Sequence, residues 1–249
     1  MPNPMRLTAG FTQHAKFQPF QALGIPDPNF YLVHSDDFPY WDAAHNLVNA
    51  TGNGAVASVD GAGGVVTLTT NSSTPATTDI AAVRTHSACF TYTGGMKTAF
   101  ACRMSLTDAL NTALNVGMIQ NTATPFTVTD GIYMQKASGS TSLVAYVVVG
   151  SVVKASIAIP GFTMANSTMY DLAIVYEGRD DVLFYAGQNL FGAAPDQNRE
   201  QLGPIARISG VYSGGMLTTA LLNQVVAIQS GTASSKVATL DFYIAAGER

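Results

Sequence analysis

The chain has 249 residues, 47% of them hydrophobic and only 11% charged, with a formal net charge of −4. Its 12 Lys and Arg are scattered, so the basic footprint of a nucleic-acid partner is missing and none is expected. No apolar run reaches the roughly 18 residues of a membrane helix, and the N-terminus lacks a signal-peptide core, so neither membrane insertion nor secretory export is expected.

Residues 1–35 read as an extended arm. Pro19, Pro26 and Pro28 forbid a regular helix and discourage a central strand. Phe17, Phe20, Phe30 and Tyr31 are costly to leave in water, at roughly 25 cal/mol per Å² of apolar area. They are expected to dock either on a neighbouring subunit or on the chain's own body. Tyr40 and Trp41, in FPYWDAAHN, form either a stacking platform for a glycan or an aromatic anchor for the first strand.

From residue 36 to 249 the pattern is that of one β-sandwich domain. Runs rich in Val, Ile, Thr, Tyr and Phe cover 64–70, 86–93, 96–106, 114–120, 131–137, 142–149 and 152–159. Later runs cover 169–177, 181–186, 206–211, 220–229 and 236–246. Turn residues separate them, with Gly150-Ser151 as a two-residue hairpin signal. About a dozen short strands indicate a sandwich and not α/β winding. Helical signals are weak: residues 107–112 suit a single turn, and MLTTALLNQ (216–224) suits helix or strand. The glycine-rich 52–64 stretch lacks a following GK[ST] and is read as hairpin ends.

The cysteines, Cys89 and Cys102, fall in SACFTYTGGMKTAFACRM, read as a hairpin turning at Gly94-Gly95. A two-residue loop sets them diagonally, which is poor bridging geometry, and a four-residue loop sets them directly opposite; free packed thiols are expected over a disulfide. His14, His34, His45 and His86 stand far apart without metal-ligand spacing, so no metal and no cofactor is expected. Asp36-Asp37 and Asp180-Asp181 are sequence neighbours, which on a strand point to opposite faces. They do not make the facing carboxyl pair of a glycosidase. With no nucleophile elbow either, no catalytic residue is assigned and the chain is expected not to be an enzyme.

Several stretches occur together in a particular order: HSDDFPYWDAAHNLV, GGVVTLTTN, TDGIYMQKASGSTSLVAYVV, YDLAIVYEGRDDVLFYAGQNLFG and VATLDFYIAAGER. The opening DDF, the Asp130-Gly131-Ile132-Tyr133 strand start, the Val182–Gln188 hairpin and the final Glu-Arg resemble a family of tailed-bacteriophage virion structural proteins. The resemblance covers about residues 34–249. It implies an all-β, concanavalin-A-like jelly-roll sandwich and a head decoration or minor capsid role, located on the virion. Its partners would be the major capsid protein and further copies of the chain. It also implies that VLFYA (182–186) and NLFGAA (189–194) are successive antiparallel strands, with Phe184, Leu190 and Phe191 in the apolar layer. The alternative is a lectin-like module of a phage fibre or spike that binds a glycan or receptor.

Overall fold

Alternating apolar side chains become two antiparallel sheets whose inner faces meet. The structure, a computed structural model, describes residues 31–36, 46–51, 54–59, 64–71, 73–120, 124–188, 190 and 204–248. In chain order the strands are β1 (Tyr31–Asp36), β2 (Asn46–Thr51), β3 (Ala55–Val59), β4 (Val65–Thr69) and β5 (Ile80–Thr85). They continue with β6 (Thr98–Leu106), β7 (Thr112–Gln120), β8 (Gly131–Lys136), β9 (Val144–Val149) and β10 (Val152–Ala158). The last are β11 (Tyr170–Tyr176), β12 (Val182–Gly187), β13 (Ala206–Ile208), β14 (Leu222–Ser230) and β15 (Val237–Glu248). One sheet runs β13-β12-β11-β6-β15-β4-β3, with β1 also on β15; the other runs β10-β9-β8-β7-β14-β5-β2.

The core follows from the period of two. On β6, Phe100, Cys102, Met104 and Leu106 enter the main core, while Ala99 and Ala101 join a separate cluster on the outer side. On β7, Leu114, Val116 and Met118 are the facing layer. Each large buried side chain contributes roughly 1.5–3 kcal/mol by leaving water. On β15 the register slips between Leu240 and Phe242, a bulge that places Leu240 and Tyr243 in the core and Phe242 and Ile244 outside. Gly117 pairs with Tyr133 of β8; a Cβ there would lie 2.6 Å from the Ile132 carbonyl oxygen, at a φ of +150°.

One end of the sandwich is closed by charged side chains gathered around two buried lysines. Lys236 Nζ donates to Asp108 Oδ2 at 2.6 Å and to Ser234 Oγ at 2.7 Å. Asp108 Oδ1 accepts the Asn111 N–H at 3.1 Å. Its carboxyl is held down at about 2, chiefly by the Lys236 hydrogen bond. The Lys136 ammonium, on a fully buried residue, donates to the carbonyls of Ser140 (2.9 Å) and Ala137 (3.2 Å). Burial lowers its pKa to about 8, against the opposing pull of Asp108.

Most expected strands are present, with four differences. β2, β3 and β5 arise where no run was marked, because Ala- and Asn-rich segments such as IAAVRT carry weak β signals. Residues 86–93 are not a strand of a β6 hairpin: only Phe90 bridges, to Leu222. Cys89 is half-buried, Cys102 is buried, and both are free. The strand beside β12 is β13, not NLFGAA; Leu190 lies in a turn against the outer cluster and Phe191 lies outside the described residues. Phe184 does enter the core. β1 begins at Tyr31 and pairs with β15, so the sheet reaches into the segment read as the arm. Residues 107–112 make the expected turn, closed by Thr112 N–H to the Asp108 carbonyl at 3.1 Å.

Two expectations follow from this packing. Gly117→Ala should lower unfolding stability in urea by roughly 2–4 kcal/mol, since backbone must shift. Gly139→Ala, at φ +80° with nothing near its Cβ, should cost only about 1 kcal/mol. Equal losses would show that crowding at Gly117 is not what matters. The second concerns pH. Between about 8 and the unfolded lysine value near 10.4, the unfolded chain binds more protons at Lys136, so stability rises with pH. Wild-type protein should therefore gain stability relative to Lys136→Met from pH 8 to 10, read from paired denaturation curves; a flat difference would refute the burial of the charge. At the acid end, Asp108 stabilises fully above its unfolded value near 3.9 and loses that contribution as pH falls towards 2.

Candidate functional site

The polar turn between β11 and β12, Glu177-Gly-Arg-Asp-Asp181, organises one rim of the sandwich. Gly178 has φ +79° and backs onto the chain at Gly95 and Met96. Its carbonyl accepts the Gly95 N–H at 2.6 Å. Asp180 ties in the next loop: its Oδ1 accepts the Ser213 N–H at 2.6 Å and its carbonyl accepts the Val211 N–H at 2.9 Å. The loop then curls through Gly214 N–H to the Gly210 carbonyl (2.8 Å) and Met216 N–H to the Val211 carbonyl (2.8 Å).

This loop holds up Tyr212, which is 60% exposed. Its ring lies on Gly94, where a Cβ would sit 2.1 Å from Tyr212 Cε2. Glycine at 94 is therefore what lets the ring pack this closely on the turn. Tyr176 and Tyr92 pack edge to face, centroids 5.9 Å apart, and both hydroxyls are buried without a hydrogen-bond partner. Asp180 and Tyr212 lie near enough to Tyr176 that their charges, after burial, oppose its ionisation. Burial also pushes Tyr92 up, so both phenols stay protonated and able to donate. Hydrogen bonds from Ser213 hold Asp180 below the ordinary carboxylate range, so it is an anionic acceptor. The rim thus offers a solvent-facing aromatic plane and a fixed carboxylate.

A second polar group lies on the outer face of the β10–β2 sheet. Register puts Arg84, Val225, Gly117, Tyr133 and Tyr146 in one transverse row across β5, β14, β7, β8 and β9. Tyr133 and Tyr146 stack with centroids 5.3 Å apart. Phe126 and Val128 pack on the same outer cluster as Tyr133. Asn115 Nδ2 donates to the Pro125 carbonyl at 2.6 Å, and its Oδ1 is buried without a partner.

The residues singled out from the sequence are placed differently. Phe17, Phe20, Phe30, Tyr40 and Trp41 lie outside the described residues. Tyr31 opens β1 opposite Glu248. Asp180-Asp181 forms the polar turn, with Asp181 bonded to Arg207. Burial raises the thiol pKa of both Cys89 and Cys102, against a reactive role. Among the described residues no cluster of three metal-ligating side chains occurs. Tyr212 was missed because VYSGG reads as an ordinary loop; its signal was an aromatic inside a glycine-rich turn.

No protein-family profile and no curated protein sequence matches the chain. Solved structures do. An endo-1,3-β-glucanase from Streptomyces sioyaensis aligns at 12% identity and TM-score 0.53, over 89% of this chain and 98% of that one. A β-1,3-1,4-glucanase (lichenase) from a mouse hindgut metagenome aligns at 13% and 0.54, over 85% and 97%. The seed lectin of Lotus tetragonolobus aligns at 6% and 0.54, over 88% and 99%. The expectation that the chain is not an enzyme is overturned by these likenesses: two glucanases share the architecture, so the fold gives no ground for setting enzymes aside. The fold is the lectin-like, concanavalin-A-like jelly-roll sandwich.

Proposed function

We propose that this chain is a lectin-like carbohydrate-binding module, carried on a tailed-bacteriophage fibre or spike. The observation that carries the reading is Tyr212, an exposed aromatic ring seated on Gly94 beside the anchored carboxylate of Asp180. A sugar ring has an apolar C–H face and a hydroxyl edge. Tyr212 suits the first and Asp180 suits the second. The lectin among the structural neighbours supports the class, and the ordered sequence stretches support the phage setting. A head decoration role, with the major capsid protein and copies of the chain as partners, is the second reading. It is favoured by the edge strand β10, where Val152 and Val153 stand 54% and 53% exposed, an apolar edge suited to a protein neighbour.

The test is a glycan array with the full chain, followed by titration of the best oligosaccharide and product analysis for cleavage. Tyr212→Ala should weaken binding at least tenfold, about 1.4 kcal/mol, with the melting temperature unchanged because the ring is exposed. Asp180→Asn should weaken it as well. Retention of full affinity by both variants would refute the rim as the binding site. Copy number on purified particles, by quantitative mass spectrometry, separates the settings: hundreds of copies fit the head and a few dozen at most fit a fibre.

A further inference from the structure

Asp180 and Tyr212 are joined more closely than one hydrogen bond implies. The Asp180 carboxylate accepts the Ser213 N–H at 2.6 Å, and the Ser213 hydroxyl and the Tyr212 N–H also donate to it. These donors fix its position and keep it ionised. A carboxylate has about four acceptor positions, so one is left for a ligand, and Asp180 still reaches solvent. Tyr212 is 60% exposed with Gly94 against its ring, so ring surface stays open on the side away from Gly94.

An open aromatic ring beside a fixed anion favours a cation over a neutral group. The ring quadrupole attracts an ammonium over its face. A charge-assisted hydrogen bond to a carboxylate is roughly twice as strong as a neutral one. The other charges of the turn leave Asp180 to act. Asp181 is bonded to Arg207. Glu177 acts on Tyr185, which packs on the outer cluster of the other sheet. Arg179, exposed in the same turn, is the opposing cation and weakens the attraction. The chain's net charge of −4 reinforces it.

We propose that the rim site selects saccharides bearing a free ammonium group, with the ammonium held between the Tyr212 ring and the Asp180 carboxylate. This rests on the carbohydrate reading above and names its ligand class. The ammonium takes the place at Asp180 that a hydroxyl has in a neutral sugar, while the C–H face of the sugar ring lies on Tyr212. An amino sugar satisfies both groups at once.

The experiment titrates the full-length chain with the glucosamine trimer, with its N-acetylated counterpart and with trigalacturonate, in low and high salt. Mildly acidic pH keeps the sugar amines protonated and Asp180 ionised; methylammonium is the free-cation control. The wild type should bind the glucosamine trimer about tenfold more tightly than the N-acetylated one, and by a smaller ratio in high salt. Asp180→Asn keeps an acceptor for Ser213 but not the charge, and should bring the ratio near one. Arg179→Gln removes the opposing charge from an exposed position and should widen it. If the N-acetylated trimer binds through Tyr212 but the ratio is absent, or persists in Asp180→Asn, this inference fails and the carbohydrate reading stands. Should Asp180→Asn not fold, an unchanged ratio in Arg179→Gln overturns it equally. Tightest binding of trigalacturonate would reverse the charge preference and sink the assignment. If methylammonium competes as well as the glucosamine trimer, the rim takes a free cation and the amino-sugar assignment is overturned. If no saccharide binds, the carbohydrate reading itself fails and takes this one with it.

Discussion

The structure depends on the hydrogen-bonded position of β15. It pairs with β6 along most of its length, with β4 over its first residues and with β1 over its last. A strand flanked on both sides must keep its inner face apolar without interruption, because a polar group there would be buried without water. The bulge near Asp241 is how β15 satisfies this while changing neighbours. It also presents Asp241 to Arg103, 3.7 Å away. Arg103 in turn joins β6 to Asp171 on β11, so the outer face of this sheet is cross-linked by charge where its inner face is held by burial.

The rim site is a consequence of that frame. β11 and β12 end at the turn that displays Asp180, and β12 carries β13 into the loop that displays Tyr212. Two glycines make the contact between the loops feasible. Gly178 takes a left-handed conformation to let the 93–96 turn approach, and Gly94 leaves room for the tyrosine ring to pack against that turn. The buried Tyr92 and Tyr176 rings connect this rim to the core, so the exposed ring stands on rigid packing. Preorganisation of this kind lowers the ordering cost of binding.

What the sequence revealed follows the same physics. Strands such as GIYMQK, YDLAIVY and TALNVGMIQ were legible because β-branched and aromatic residues alternate between faces. IAAVRT was not, because alanines carry almost no β preference and its place between β14 and β2 is decided by long-range pairing. The 86–93 stretch misled in the opposite way: CFTY has β composition, but only Phe90 finds a bridge, and Tyr92 is drawn into the core instead. The buried Lys136 was invisible, since its alternation position is known only once β8 is placed. Asp180 was recognised as a turn residue, but its role in clamping Ser213 needs a contact 33 residues away. Tyr212 is a single residue in ordinary surroundings, and only the fold shows that it is exposed.

The proposed hold on carbohydrate by Tyr212 and Asp180 would be visible in a crystal structure of the full chain soaked with the best-binding oligosaccharide. A sugar ring is expected across the face of Tyr212, with a hydroxyl bonded to Asp180. A bound oligosaccharide that leaves Tyr212 and Asp180 untouched would contradict it.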